Sequence, residues 1–386
     1  MKYALVNCNI YTGNEIICNE AIIIENNYIK SLVDVSKVPS DIDFIDLGGL
    51  SVAPGFIDLQ VNGGGGYFFT DNPTEEAVSA IFEAHKEFGT TNFLPTIIST
   101  SYENIVKAID TVGKCLSNNK YGILGLHIEG PYLNDTKAGV HNKKLIRSIR
   151  DEEFYNLIEK GTNIIKLITL APENVDKRYI RMCINSGIRI SAGHSDSTYE
   201  QASEAFKIGV SSVTHIFNAM SQLGSREPGL VGAALENDDV WASVIVDGVH
   251  VHFSSVKICK RVKPLNKLFL ITDAMPPVGK PEDTFKVGDL EIFCKEGKCI
   301  TKDGILAGSS LDMATAVRNC VQRIGIPIDE ALRMASTYPA EFLGINNLLG
   351  RIKPNFIANL TIFDNQLHVR GTVVNGKYEA TIRVKA

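Results

Sequence analysis

Short apolar runs recur along the chain, and most are followed by a stretch of helical period. The runs are SVAPGFIDL (51–59), TNFLPTIIS (91–99), GILGLHIEG (122–130), NIIKLITLA (163–171), GIRISAGHS (187–195), SSVTHIFNA (211–219), WASVIVDGVH (241–250) and LFLITDA (268–274). Most are β-rich in composition and too short for buried helices. Between them, PTEEAVSAIFEAHKEFG, YENIVKAIDTVGKCL, DEEFYNLIEKG, NVDKRYIRMCINSG and TYEQASEAFKIG place apolar residues at i, i+3 and i+4. Near-continuous apolar strands alternating with amphipathic helices predict a parallel sheet covered on its outside. Eight such units over about 250 residues suit a closed, TIM-like (β/α)8 barrel. The alternative, a doubly wound open sheet, lacks its cue, because no GxGxxG follows the first strand.

The two ends break this rhythm. Residues 1–50 read as short strands with turns at YTGNE and ENNY, and 353–386 again alternate apolar with polar residues and turn at Asn375-Gly376. Neither end alone buries enough surface to be stable. The expected organisation is therefore a small β-sandwich domain built from 1–52 and 353–386, flanking a barrel over 53–352. DTFKVGDLEIFCKEGKCITKDG (283–304) reads as a hairpin inserted after the eighth strand.

Composition narrows the function classes. Hydrophobic residues make up 44% of the 386 and charged ones 22%, with a net charge of −5. No basic stripe is present, which argues against nucleic acid and anionic membrane as partners. The start, MKYALVNCNIYTGNE, carries Asn7, Asn9 and Glu15 where a signal peptide needs an apolar core, so a cytoplasmic location is expected. The eight cysteines are scattered without a CxxC pair, Cys294 and Cys299 coming closest, and read as reduced structural thiols.

The polar residues that interrupt the apolar runs carry the chemistry. Barrel active sites are assembled at the carboxyl ends of the strands. His127, His141, His194, His215 and His250 fall there or just beyond, with Glu129 ending the third strand and Asp273 the eighth. A lone histidine in an apolar run is usually a satisfied core residue. Several at the same end of successive strands, joined by two carboxylates, point instead to a three-ligand metal site with an open position.

PGFIDLQVNGGGG, GLHIEGPYLN, KAGVHN, SAGHSDSTYEQ, THIFNAMSQLGSREPGLVGA, VDGVHVH, LITDAM and LAGSSLDM, in this order, resemble the N-acetylglucosamine-6-phosphate deacetylases of the amidohydrolase superfamily. The resemblance runs along nearly the whole chain. It implies that Glu129, His194 and His215 bind one divalent ion per subunit, Zn2+ first, with Fe2+, Mn2+ or Co2+ as alternatives. Asp273 then matches the acid/base that takes a proton from water and returns it to the departing amine. His141 matches the residue that polarises the acetamide carbonyl. Arg226 and His250 fit the phosphate contacts, assisted by backbone N–H groups near Asn218 and Ala219, and Leu306 sits where the sugar packs. In this family a neighbouring subunit can donate phosphate contacts, so a homodimer or a tetramer is expected. His127 reads as a support for the ligands rather than a ligand. Gly63–Gly66 is not a phosphate loop, since no GK[ST] helix follows, and instead lets the backbone pass close to the substrate.

One departure stands out. Metal-binding first strands of such barrels usually end in His-x-His, whereas here the positions are Gln60 and Asn62. Neutral amides are weaker ligands than imidazole for a borderline metal. The expectation is one metal, not two, as in the mononuclear branch with this Gln-x-Asn pattern. The implied activity is hydrolysis of N-acetyl-D-glucosamine 6-phosphate to D-glucosamine 6-phosphate and acetate, in amino-sugar catabolism and cell-wall recycling. The competing readings are deacetylation of N-acetylgalactosamine 6-phosphate and a non-catalytic sugar-phosphate sensor.

Overall fold

The eight apolar runs form eight parallel strands that hydrogen-bond in chain order. They are β1 (Phe56–Val61), β2 (Thr90–Ile97), β3 (Leu126–Glu129), β4 (Ile165–Leu170), β5 (Arg189–Ala192), β6 (Ser212–Val213), β7 (Trp241–Val244) and β8 (Leu268–Leu270). This computed structural model describes residues 1–295 and 297–381. Just past β8, Asp273 N–H donates to the Gln60 carbonyl at 3.0 Å and Ala274 bridges Val61, which brings the last strand back to the first. Helices α1 (Glu75–Lys86), α2 (Tyr102–Ser117), α3 (Asp151–Lys160), α4 (Lys177–Asn185) and α5 (Tyr199–Lys207) follow β1 to β5 in turn. Their starts are set by local chemistry: the Ser101 and Asp176 side chains accept backbone N–H groups of the first turns of α2 and α4, and Thr198 with Gln201 forms a full capping box on α5.

The chain divides into two compact units. One holds Met1–Asp58, His85–Asn92 and everything from Asp312 on; the other holds Leu59–Ala84 and Phe93–Leu311. In the first unit the two chain ends build two sheets. Tyr28–Asp34, Glu20–Glu25, Lys2–Val6 and Asp43–Asp46 form one; Lys377–Ala380, Val369–Val374, Leu360–Phe363, Ser51–Pro54, Asn9–Tyr11 and Ile16–Ile17 form the other. Leu5, Ile22 and Ile24 from one sheet and Ile10, Val52 and Ile362 from the other share one core, as a sandwich requires.

Three details depart from the sequence reading. The run 51–59 is two strands, split at Gly55: Ser51–Pro54 pairs with Leu360–Phe363, and only from Phe56 does the chain enter the barrel. A Cβ at Gly55 would lie 2.0 Å from Thr91 Oγ1, so a glycine is needed there. The insertion at 283–304 is larger than a hairpin: Thr284–Val287, Leu290–Lys295 and Lys298–Thr301 join Leu306–Ser309 in a four-stranded antiparallel sheet. Finally, Cys294 and Cys299 are not reduced thiols. They stand directly opposite each other on neighbouring strands, Cα atoms 4.3 Å apart, and are disulfide-bonded. The other six cysteines are free, and five of those are buried. Glu296 in the insertion and 382–386 at the end of the second β stretch lie outside the described residues.

Gly193 links β5 to His194 in a space with no room for a side chain: a Cβ there would meet Thr214 Cγ2 at 2.3 Å and Thr169 Cγ2 at 2.9 Å. Gly193→Ala is therefore expected to destabilise the barrel by about 1–3 kcal/mol through overpacking. The check is a lowered urea midpoint; an unchanged midpoint would mean that β4 and β6 yield without cost.

Candidate active site

The strand ends deliver polar side chains to one mouth of the barrel, and the backbone is bent to do so. Glu129 is the last residue of β3. His194, His215, Ala219 and Asp273 follow β5, β6 and β8 with φ of 48°, 31°, 48° and 53°, the left-handed region that side chains rarely adopt. Such conformations persist only where the surroundings over-determine them, and they cluster at functional sites. Here the restraints are explicit. Asn134 N–H donates to the His194 carbonyl (2.9 Å), Ser243 Oγ accepts from His215 N–H (2.9 Å), and Ser309 N–H donates to the Asp273 carbonyl (2.9 Å).

The centre of the site is the Glu129 carboxylate, 2% exposed. Its Oε1 lies 3.1 Å from His215 Nε2 and 3.3 Å from His194 Nε2, and those two nitrogens are 3.1 Å apart. A tetrahedral divalent ion held at about 2.0–2.1 Å spaces its ligand atoms roughly 3.3–3.4 Å apart. The triangle's edges come within about 0.3 Å of the spacing such an ion requires. His194 Nδ1 faces the Lys137 carbonyl at 2.8 Å. A carbonyl only accepts, so Nδ1 carries the proton and Nε2 offers its lone pair to the triangle. These donors fit a divalent metal.

His141 completes a wider group, since Glu129, His141 and His194 also offer atoms within 4.8 Å of one another. Its tautomer sets it apart. The Ser99 backbone N–H donates to His141 Nδ1 (3.2 Å), and the Ser99 hydroxyl is 2.8 Å from the same atom. Nδ1 is thus an acceptor, and the proton sits on Nε2, 3.8 Å from Glu129 Oε2. Burial first, and then the neighbouring His194, pushes the His141 pKa down to about 4. At neutral pH it is an uncharged imidazole presenting one N–H.

Gln60 and Asn62 are engaged as hydrogen-bond donors. Gln60 Nε2 reaches Glu129 Oε1 at 2.9 Å and Asp273 Oδ1 at 3.1 Å, while its carbonyl accepts from Thr214 Oγ1 at 2.6 Å. Asn62 Nδ2 donates to the same Asp273 Oδ1 at 2.6 Å. Burial and then the Glu129 charge push the Asp273 pKa up to about 6, in the range where a carboxyl exchanges protons near neutrality.

A cavity of about 320 Å3 opens over this centre. Asn218, Ala219, His250 and Leu306 line it. The His250 ring is held by Asp247, whose Oδ2 is 2.6 Å from Nδ1 and whose Oδ1 accepts the Val249 and His250 backbone N–H groups. Arg226 is not brought to the cavity; it is exposed in the loop after β6. His127 lies inside the barrel between Thr96 Oγ1 (3.3 Å) and Thr169 Oγ1 (2.8 Å). Sequence reasoning missed Ser99, Lys137, Thr214 and Asp247. Only Asp247 carried a signal, the Asp-x-x-His spacing of a turn that folds back on itself.

The model of the amidohydrolase family matches residues 51–378, and that of the NagA composite domain matches residues 2–52. An N-acetylglucosamine-6-phosphate deacetylase of Haemophilus influenzae is 41% identical, covering 98% of this chain and 100% of its own. An N-acetylgalactosamine-6-phosphate deacetylase of Shewanella is 38% identical over 87% of this chain and 82% of its own. The crystal structure of N-acetylglucosamine-6-phosphate deacetylase from Pasteurella multocida superimposes with a TM-score of 0.96 at 39% identity, covering 98% of this chain and all of that one. The chain belongs to the amidohydrolase family, its barrel preceded by a NagA composite domain.

Proposed function

We propose that the protein hydrolyses N-acetyl-D-glucosamine 6-phosphate to D-glucosamine 6-phosphate and acetate, in amino-sugar catabolism and cell-wall recycling. The observation that carries this reading is the Glu129–His194–His215 triangle with Asp273 tied beside it through Gln60, in a chain so similar along its length to a deacetylase of that substrate. In this reading Glu129, His194 and His215 hold one divalent ion, Zn2+ first among the candidates because two imidazoles and a carboxylate suit it. When bound there, the ion supplies Lewis acidity that makes water nucleophilic near neutral pH.

The chain's own residues do the rest. The His141 Nε2–H donates to the acetamide oxygen and steadies the negative charge that grows on it as the carbonyl carbon becomes tetrahedral. Asp273 takes a proton from the attacking water and delivers it to the amine nitrogen, which cannot leave as an anion. The phosphate is met by the His250 imidazole, oriented by Asp247, and by backbone N–H groups near Asn218 and Ala219. Leu306 packs the sugar. Arg226, exposed on its own subunit, reaches the phosphate of a neighbouring copy, which makes the working unit a homodimer. Among the described residues no helix is long and apolar enough to cross a membrane, and a cytoplasmic location suits a phosphorylated substrate. The deacetylase of the galacto epimer is the second reading, favoured by the Shewanella relative. Acetate release from the two sugar phosphates, measured side by side, decides between them; release from neither would overturn both.

Three outcomes follow from these roles. Purified protein should retain about one divalent ion per chain by elemental analysis, because among the described residues one full set of strong ligands is brought together. His194→Ala should lose the ion, and Gln60→Ala should keep it; two firmly held ions would refute the single-metal reading. Asp273→Asn should retain the ion and the substrate while kcat falls by roughly three powers of ten. More than a tenth of wild-type kcat would remove Asp273 from the acid/base role. Arg226→Ala should cost about 1.5–3 kcal/mol in kcat/KM on the phosphorylated sugar and little on unphosphorylated N-acetylglucosamine. Equal losses on both would make Arg226 structural.

A further inference from the structure

The cavity has two chemically different sides, and the strand order fixes which is which. In an eight-membered ring of strands β2 stands opposite β6, and β3 opposite β7. Asn218 and Ala219 follow β6 and His250 follows β7, so the polar donors lie to one side. Phe68 follows β1, Ile98 follows β2 and Met275 follows β8, and all three line the same cavity, Ile98 from the strand opposite β6. They belong to one apolar cluster and are 4%, 7% and 2% exposed. Neighbours hold this wall in place. Ile98 precedes Ser99, which fixes the His141 ring, and its own N–H donates to Thr70 Oγ1 at 3.0 Å. Met275 follows Asp273 by two residues and presses on Gly308, where a Cβ would lie 2.5 Å from its Cγ and 2.8 Å from its Sδ. Behind the wall pack Phe285, Ile292 and Cys299 of the inserted sheet.

We infer that Phe68, Ile98 and Met275 form the acyl subsite and restrict the enzyme to short acyl groups. The inference rests on the deacetylase reading. The scissile carbonyl carbon must sit between the Glu129 centre, His141 and Asp273. Its two substituents leave it in different directions. The amine carries the sugar phosphate and has to run toward His250, Asn218 and Ala219. The acyl chain is left with the wall of Phe68, Ile98 and Met275, an apolar surface that suits a methyl group and itself offers a polar substituent no partner. The wall is closed behind by the core of the inserted sheet, so a methyl fits and a longer chain must displace buried side chains.

The test compares kcat/KM for N-formyl-, N-acetyl- and N-propionylglucosamine 6-phosphate. A pocket closed around a methyl discriminates an added methylene by roughly 10- to 200-fold. Wild-type enzyme should show an acetyl preference over propionyl in that range. Ile98→Ala and Met275→Ala should each cut the preference by about tenfold, with the bound divalent ion retained. Ile98→Phe, which fills the space, should lose the acetyl substrate and keep the formyl one, so the inference stays testable if a truncation fails to fold. An unchanged acyl preference in the folded variants would overturn the subsite. So would a preference that moves with Ile305→Ala, elsewhere in the cavity lining, and not with Ile98 or Met275. A wild-type enzyme that cleaves none of the three amides would instead overturn the deacetylase reading on which the subsite depends.

Discussion

A carboxylate buried at the end of a barrel strand has to be compensated, and the site is arranged around that demand. Glu129 is almost wholly removed from water, where an isolated charge costs several kcal/mol even after relaxation. Burial alone would raise its pKa, yet the imidazoles of His141, His194 and His215 hold it well below the usual carboxylate range. Gln60 adds an N–H at 2.9 Å. Three of these neighbours are held in turn by a further group. Thr214 holds the Gln60 amide the right way round, the Lys137 carbonyl sets the His194 tautomer, and Ser99 sets that of His141.

The same demand binds the fold to the site. The contacts that bring β8 back to β1 run through Gln60, Asp273 and Ala274, so the ring closes at the residues that carry the chemistry. Left-handed backbone at His194, His215 and Asp273 is the cost of turning side chains from the ends of extended strands into the mouth. Ladder and side-chain hydrogen bonds on either side hold that strain. A side chain at Gly193 would press on Thr214, which precedes His215 and donates to the Gln60 side-chain carbonyl.

Much of this was legible in the sequence, for a physical reason. Parallel strands buried on both faces read as unbroken apolar runs, so a charged or imidazole side chain inside one, such as Glu129 or His215, stands out. The same property hides boundaries: SVAPGFIDL is mostly apolar on both sides of Gly55, where one sheet ends and another begins. The Cys294–Cys299 pair depends on the register of two strands, which spacing alone does not reveal. Ser99, Thr214 and Lys137 act through a hydroxyl or a backbone carbonyl whose partner is far away in the chain, and nothing local singles them out. Gln60 and Asn62 were visible as an anomaly, but their partners were not. Read as ligands they are poor; as donors they have two carboxylates within reach.

That change of role bears on how one carboxyl group could serve as both base and acid. Gln60 and Asn62 deliver their N–H groups to the same atom, Asp273 Oδ1. Two donors on one oxygen lower its basicity and lock the plane of the carboxyl group, which leaves proton exchange to Oδ2. Burial beside Glu129 raises the affinity of the group for a proton; His215 and His250 nearby, and then the Asn62 amide, pull the other way, since positive charge and hydrogen bonds favour the charged form. The balance falls near 6, where taking a proton and giving it back are of comparable ease. A pair of imidazoles on the first strand would have been free to bind metal, whereas a pair of primary amides supplies donors that hold Asp273 in place. In the proposed mechanism the Gln-x-Asn pattern is thus a working part of a single-metal site, because it orients the group that must move the proton twice.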